Sequence, residues 1–147
     1  MTAELSLHQF NSFDGTTLAW REVGAGRPVL LLHGYMSDAM TNWVRYGHAD
    51  TIAASGFRVI MPDLRGHGSS AKPHDVASYP PDALARDGLA LVQHLALTDY
   101  DLGGYSLGAR TVVRMVHGGG GPCRVILSGM GLEGVIATGT RVDFFRR

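Results

Sequence analysis

The chain has 147 residues, enough for one domain with a buried core and too few for two. Hydrophobic side chains make up 45% and charged ones 18%, which excludes an intrinsically disordered chain. Thirteen basic residues balance thirteen acidic ones, so no net field draws the chain to nucleic acid or an anionic membrane, and neither is expected as a partner.

In chain order, Leu5–Phe10 and Thr17–Val23 read as strands, and Asp14-Gly15 between them is a hairpin signal. Pro28–Leu32 is apolar without alternation, the pattern of a strand buried on both faces of a parallel sheet. It stops at His33-Gly34. A helical stretch then ends near Ala54-Ser55, with Gly56 at the position after the cap. Phe57–Met61 is a second buried strand closed by Pro62-Asp63, and 64–79 reads as a loop. Pro81 suits the first position of a helix whose Leu84, Gly88, Leu91, Val92 and Leu95 share one face. Tyr100–Leu102 is a short strand running into Gly103 and Gly104. Leu107–His117 is helical, with Gly108, Val112, Met115 and Val116 inward and Gly118 as its stop. Arg124–Leu127 is the last strand, and beyond Gly131 the pattern fades. Strands alternating with helices after an antiparallel hairpin predict an α/β fold with a mostly parallel sheet and helices on both faces.

The first residues, 1–5, carry no basic and apolar leader, and no apolar run approaches the roughly 20 residues of a membrane-spanning helix. Cys123 is the one cysteine, expected as a small buried residue ahead of the last strand. A lone thiol fits a reducing cytoplasm, the expected location.

Chemistry concentrates at Gly104-Tyr105-Ser106-Leu107-Gly108, a G-x-S-x-G run between a short strand and an amphipathic helix. A serine on so sharp a turn is held in a strained backbone conformation, and a side chain two residues to either side would meet neighbouring backbone. The helix N-terminus directs partial positive charge at an oxyanion forming near Ser106. His33-Gly34-Tyr35 ends the first buried strand and should lie beside this turn, since sites in parallel sheets gather at the carboxyl ends of strands. The N–H groups of Tyr35 and Leu107 then form a two-donor oxyanion hole. His33 reads as a structural hydrogen-bonding residue more than as a base. In Asp63-Leu64-Arg65-Gly66-His67-Gly68-Ser69-Ser70, Asp63 and Arg65 are expected to pair in a structural turn bordering the site, with His67 as base the lesser reading.

His33-Gly34, Trp43, the run from Gly56 through Pro62-Asp63-Leu64-Arg65-Gly66-His67-Gly68 to Ser69, and the serine motif together resemble the α/β-hydrolase superfamily in order and spacing. The resemblance extends from the hairpin to Leu127. It implies Ser106 as nucleophile and the N–H groups of Tyr35 and Leu107 as the oxyanion hole. It also implies a triad ordered serine, acid, histidine, for which Glu133 is a candidate acid at the family's less common position. Epoxide hydrolases and haloalkane dehalogenases of this superfamily carry aspartate where Ser106 stands, which argues against those two chemistries. An attacking alcohol suits esters, thioesters, lactones or activated carbon–carbon bonds of a small-molecule substrate, with no metal or organic cofactor.

The one histidine after Ser106, His117, falls at the far end of the helix that Ser106 begins, about 15 Å away. The resemblance makes residues 1–147 a single domain, the N-terminal part of the core, without its last two strands and ending near the start of the usual cap. Three readings follow: a serine hydrolase completed by a C-terminal part, a non-catalytic ligand-binding or receptor module on the same fold, or a small enzyme using His33 or His67 as base. Acyl transfer or perhydrolysis would use the same site. The Arg124–Leu127 edge should be paired by a C-terminal part of the same protein or by a second copy. Residues 1–147 alone are expected to hydrolyse a nitrophenyl ester no faster than the residual acceleration, on the order of 10³ over water, left when triad members are lost. Turnover at ordinary enzyme rates, removed by His33→Ala, would instead support the third reading.

Overall fold

Strand β3 (Arg27–Leu32) carries the apolar run noted above, and its successive side chains enter two separate layers. Val29 and Leu31 point to one face, Leu30 and Leu32 to the other, and all four are buried. The computed structural model describes residues 4–131. In it β3 is central to a six-stranded sheet of order β1-β2-β4-β3-β5-β6, with β1 (Ser6–Asn11), β2 (Thr17–Val23), β4 (Phe57–Pro62), β5 (Asp101–Tyr105) and β6 (Arg124–Ser128). β4, β3, β5 and β6 run parallel to one another; β1 and β2 form the antiparallel hairpin, whose β2 joins the sheet antiparallel to β4. This is the expected α/β fold with an N-terminal hairpin.

Helices cover both faces. α1 (His48–Ala54), preceded by a π-turn at Met40–Val44, packs with Val29, Leu31, Val59 and Met61. α2 (Ala83–His94) and α3 (Leu107–His117) cover Leu30, Leu32, Ile60 and Leu102. α2 and α3 lie close because Gly88 leaves room for the Met115 thioether, which a Cβ there would strike. Gly56 follows the α1 cap at φ 93°, as its position after Ser55 predicts. Among the described residues no helix is long and apolar enough to cross a membrane.

Three local expectations are corrected here. Pro81 does not begin α2: it sits in a turn closed by the Ala83 N–H on the Pro80 carbonyl, with Asp82 at φ 59°, and the helix starts at Ala83. Val116 lies on the outer side of α3 and is exposed. Cys123 is exposed too, because it precedes an edge strand, and its thiol donates to Asp99. The run Val125-Ile126-Leu127 on the last strand is 44%, 53% and 38% exposed among the described residues.

Asp63 and Arg65 do not pair with each other. Both lie past the end of β4, where the chain has left the strand and turns, and each finds a distant partner. Asp63 takes Arg21 at 2.9 Å. Arg65, 1% exposed, is clamped by Asp14 at 2.6 Å and Asp87 at 2.7 Å, and also donates to the Ser78 carbonyl. One guanidinium thus ties the hairpin turn, the segment after β4 and α2 together. Removing it strands the buried Asp87 carboxylate, so Arg65→Met is expected to lower unfolding free energy by about 3–5 kcal/mol in urea denaturation. Arg65→Met with Asp87→Leu should recover much of that loss.

Candidate active site

Ser106 connects β5 to α3 at φ 54° and ψ −111°, a left-handed conformation that a non-glycine residue holds only under constraint. The constraint is visible on both sides. A Cβ on Gly104 would collide with the backbone of Gly108 and Ala109, and one on Gly108 with the Leu32 carbonyl. The Ser106 N–H donates to the Ser128 carbonyl at 2.8 Å, fastening the turn to the end of β6. That bond takes the serine's own amide away from any ligand. The next amide, Leu107, is the first of α3 and has no carbonyl one turn back to bond within the helix.

The loop after β3 arrives beside this turn. Leu32 and Gly104 are neighbours in register, and a Cβ on Gly34 would lie 3.2 Å from the Tyr105 ring. Side chains hold the loop's backbone at several points. The Gly34 N–H donates to Asn42 Oδ1 at 2.8 Å, the Met36 N–H to His67 Nε2 at 3.1 Å and the Ala39 N–H to Asp63 Oδ1 at 2.9 Å. Sequence reasoning missed Asn42, Ser128 and the loop-holding role of Asp63, because each acts through backbone atoms that no motif records.

Neither histidine of this region offers a nitrogen to Ser106. His33, fully buried, accepts the Leu64 N–H at Nε2, 2.9 Å away, so its proton is on Nδ1, which donates to the Gly34 carbonyl at 2.8 Å. The same reasoning puts the His67 proton on Nδ1, 3.0 Å from the Arg65 carbonyl. Each ring bridges two backbone segments through both of its nitrogens. His117 ends α3, a helix length from Ser106. Glu133 lies outside the described residues. Among the described residues no group of three or more His, Cys, Asp or Glu side chains could hold a metal.

Two hollows open in this region, the first beside the turn and the second among the loops after β3 and β4. One of about 560 Å³ runs past Tyr105 and Ser128 between Trp43, Ile52 and Ile126; the other, about 460 Å³, lies between Tyr35, His67 and Tyr79. Among the described residues no carboxylate lines either one.

A family model described as alpha/beta hydrolase fold matches residues 27–121. The chain belongs to that family. It is 36% identical over 123 residues to a non-heme haloperoxidase of Rhodococcus erythropolis, covering 79% of this chain and 41% of that protein. It is 38% identical over 96 residues to an epoxide hydrolase of Caballeronia sordidicola, covering 65% and 28%. The structure of an esterase from Exiguobacterium antarcticum matches with a TM-score of 0.73 at 29% identity, over 82% of this chain and 44% of that one. The chain spans less than half the length of these relatives.

Burial depresses the His33 pKa below its ordinary 6.5, with the Gly34 carbonyl opposing and nearby His67 adding to the shift. The unfolded chain therefore binds this proton more readily than the folded one. The contribution of neutral His33 to stability is complete above about 6.5 and is lost as pH falls through the folded-state pKa. In urea denaturation, the advantage of the wild type over His33→Gln is expected to be full at pH 8 and to shrink steadily toward pH 5.

Proposed function

We propose that this chain carries the nucleophile and oxyanion hole of a serine hydrolase acting on a small ester-like molecule through an acyl-enzyme. The observation that carries the reading is the strained Ser106 at the head of α3, with glycine at each position where a side chain would block the turn. The Ser106 Oγ attacks a carbonyl carbon, and its proton passes to a base contributed by the rest of the protein. The carbonyl oxygen, now negative, is met by the N–H groups of Leu107 and Tyr35 and by the positive end of α3. Collapse expels the alcohol and leaves an acyl-serine, which water then hydrolyses. Glu133 is the candidate acid that would orient the base.

The mostly apolar hollow beside Tyr105 suits the acyl part of such a substrate. Serine at position 106 weighs against epoxide opening, despite the likeness to an epoxide hydrolase. The likeness to a non-heme haloperoxidase favours one second reading, in which the same acyl-serine is discharged to a peroxide or another acceptor instead of water. The same proposal takes residues 1–147 as one domain of a cytoplasmic protein. It also has the half-exposed β6 covered by a C-terminal part of the protein or a second copy.

A fluorophosphonate probe should label the full-length protein at Ser106, and Ser106→Ala should abolish the labelling. Adducts that persist in the Ser106→Ala protein would sink the assignment.

A further inference from the structure

His67 is engaged at both ring nitrogens yet lies a single residue's reach from the loop that carries Tyr35. Met36, which follows Tyr35, stands at φ 55°, a left-handed backbone that methionine adopts only when something holds it there. Its side chain is 81% exposed, so packing does not hold it. The Met36 N–H donates to His67 Nε2 at 3.1 Å, and this is the bond that can.

His67 is in turn fixed from several directions. Its Nδ1–H donates to the Arg65 carbonyl, its own N–H to the Leu64 carbonyl at 2.9 Å, and its ring meets those of His33 at 5.2 Å and Tyr35 at 6.0 Å. Leu64 links the two histidines, giving its N–H to His33 Nε2 and its carbonyl to the His67 N–H. Behind them stands the buried Arg65, anchored by Asp14 and Asp87. The loop is therefore pinned at His33 and again at Met36, with Tyr35 between the pins.

We infer that His67 is a positioning residue: by accepting the Met36 N–H it keeps the Tyr35 segment of the oxyanion hole in its working shape. The inference rests on the serine-hydrolase reading above, in which the Tyr35 N–H meets the oxyanion. Without the acceptor, Met36 is free to relax into an ordinary right-handed or extended backbone, and the adjoining peptides turn with it. Displacing a catalytic group by about 1 Å costs on the order of 100-fold in rate.

The test compares wild type, His67→Ala, His67→Gln and Ser106→Ala in the full-length protein. It follows the rate of fluorophosphonate labelling, amide exchange at Met36 and the urea midpoint. His67→Ala is expected to slow labelling on the order of 10-fold to 100-fold and to speed exchange at Met36. Glutamine places a carbonyl oxygen near the position of Nε2, so His67→Gln should restore most of the labelling rate and of the protection. A purely structural role would move the urea midpoint without this rescue. Should His67→Ala not fold, His67→Met, which fills the space without accepting, takes its place beside His67→Gln. Unchanged labelling and exchange in the alanine or methionine variant, or equal loss in the glutamine variant, would overturn the inference. Failure of the wild type to label at Ser106 would instead strike the serine-hydrolase reading, and the exchange measurement would still decide whether His67 holds Met36.

Discussion

The Leu32 carbonyl occupies the space in which any side chain at position 108 would lie. Because Gly108 has none, α3 descends onto the ends of β3 and β5 at backbone contact. Gly104 allows the same approach from the strand side. Ser106 is then forced through a left-handed turn at the one place where strand end, helix start and neighbouring loop coincide. The direction of the helix dipole, the neighbourhood of the Gly34 loop and the link from the Ser106 amide to Ser128 all depend on that contact. A methyl group at either glycine would push the helix away and move the serine with it.

Around this contact, the buried polar side chains hold backbone in place. Asp63 accepts from Arg21, from the Ala39 amide and from the Ser69 amide. His33 spans Leu64 and Gly34, and Arg65 spans three separate segments. By residue type, each would pass for a participant in catalysis, since buried acids, bases and histidines commonly mark active sites. Their hydrogen bonds lead to loop amides and carbonyls and to charged partners on other segments, so together they hold irregular backbone rigid. Surface loops of this kind have too little apolar packing to hold their shape, and buried polar contacts supply it.

Which parts of this were legible beforehand follows from the range of the forces involved. Apolar runs and glycine punctuation are local, and they located the six strands, α2, α3 and the end of α1 within a few residues, while the short helical turns at Met40–Val44 and Val76–Ser78 left no such signal. The serine turn was readable because its glycines are demanded by contacts within four residues of Ser106 and by the strand beside it. Arg65 was misread because its partners, Asp14 and Asp87, lie far along the chain and meet it only once the hairpin and α2 dock. Pro81 was misplaced because a proline that suits the first turn of a helix equally suits the second position of a tight turn. Cys123 was expected inside because an apolar neighbourhood reports what a segment can bury, while exposure depends on what is packed against it.

The strand order also sets a schedule for the ribosome. β1 and β2 can zip together as they emerge, and β5 and β6 each meet a finished neighbour. β3 does not, because β4 must come between it and β2. At ordinary synthesis rates of about 5–20 residues per second, the most apolar strand of the sheet waits on the order of seconds for its first partner. During that interval Val29–Leu32 is the segment through which a nascent chain would be captured by a chaperone or by another chain.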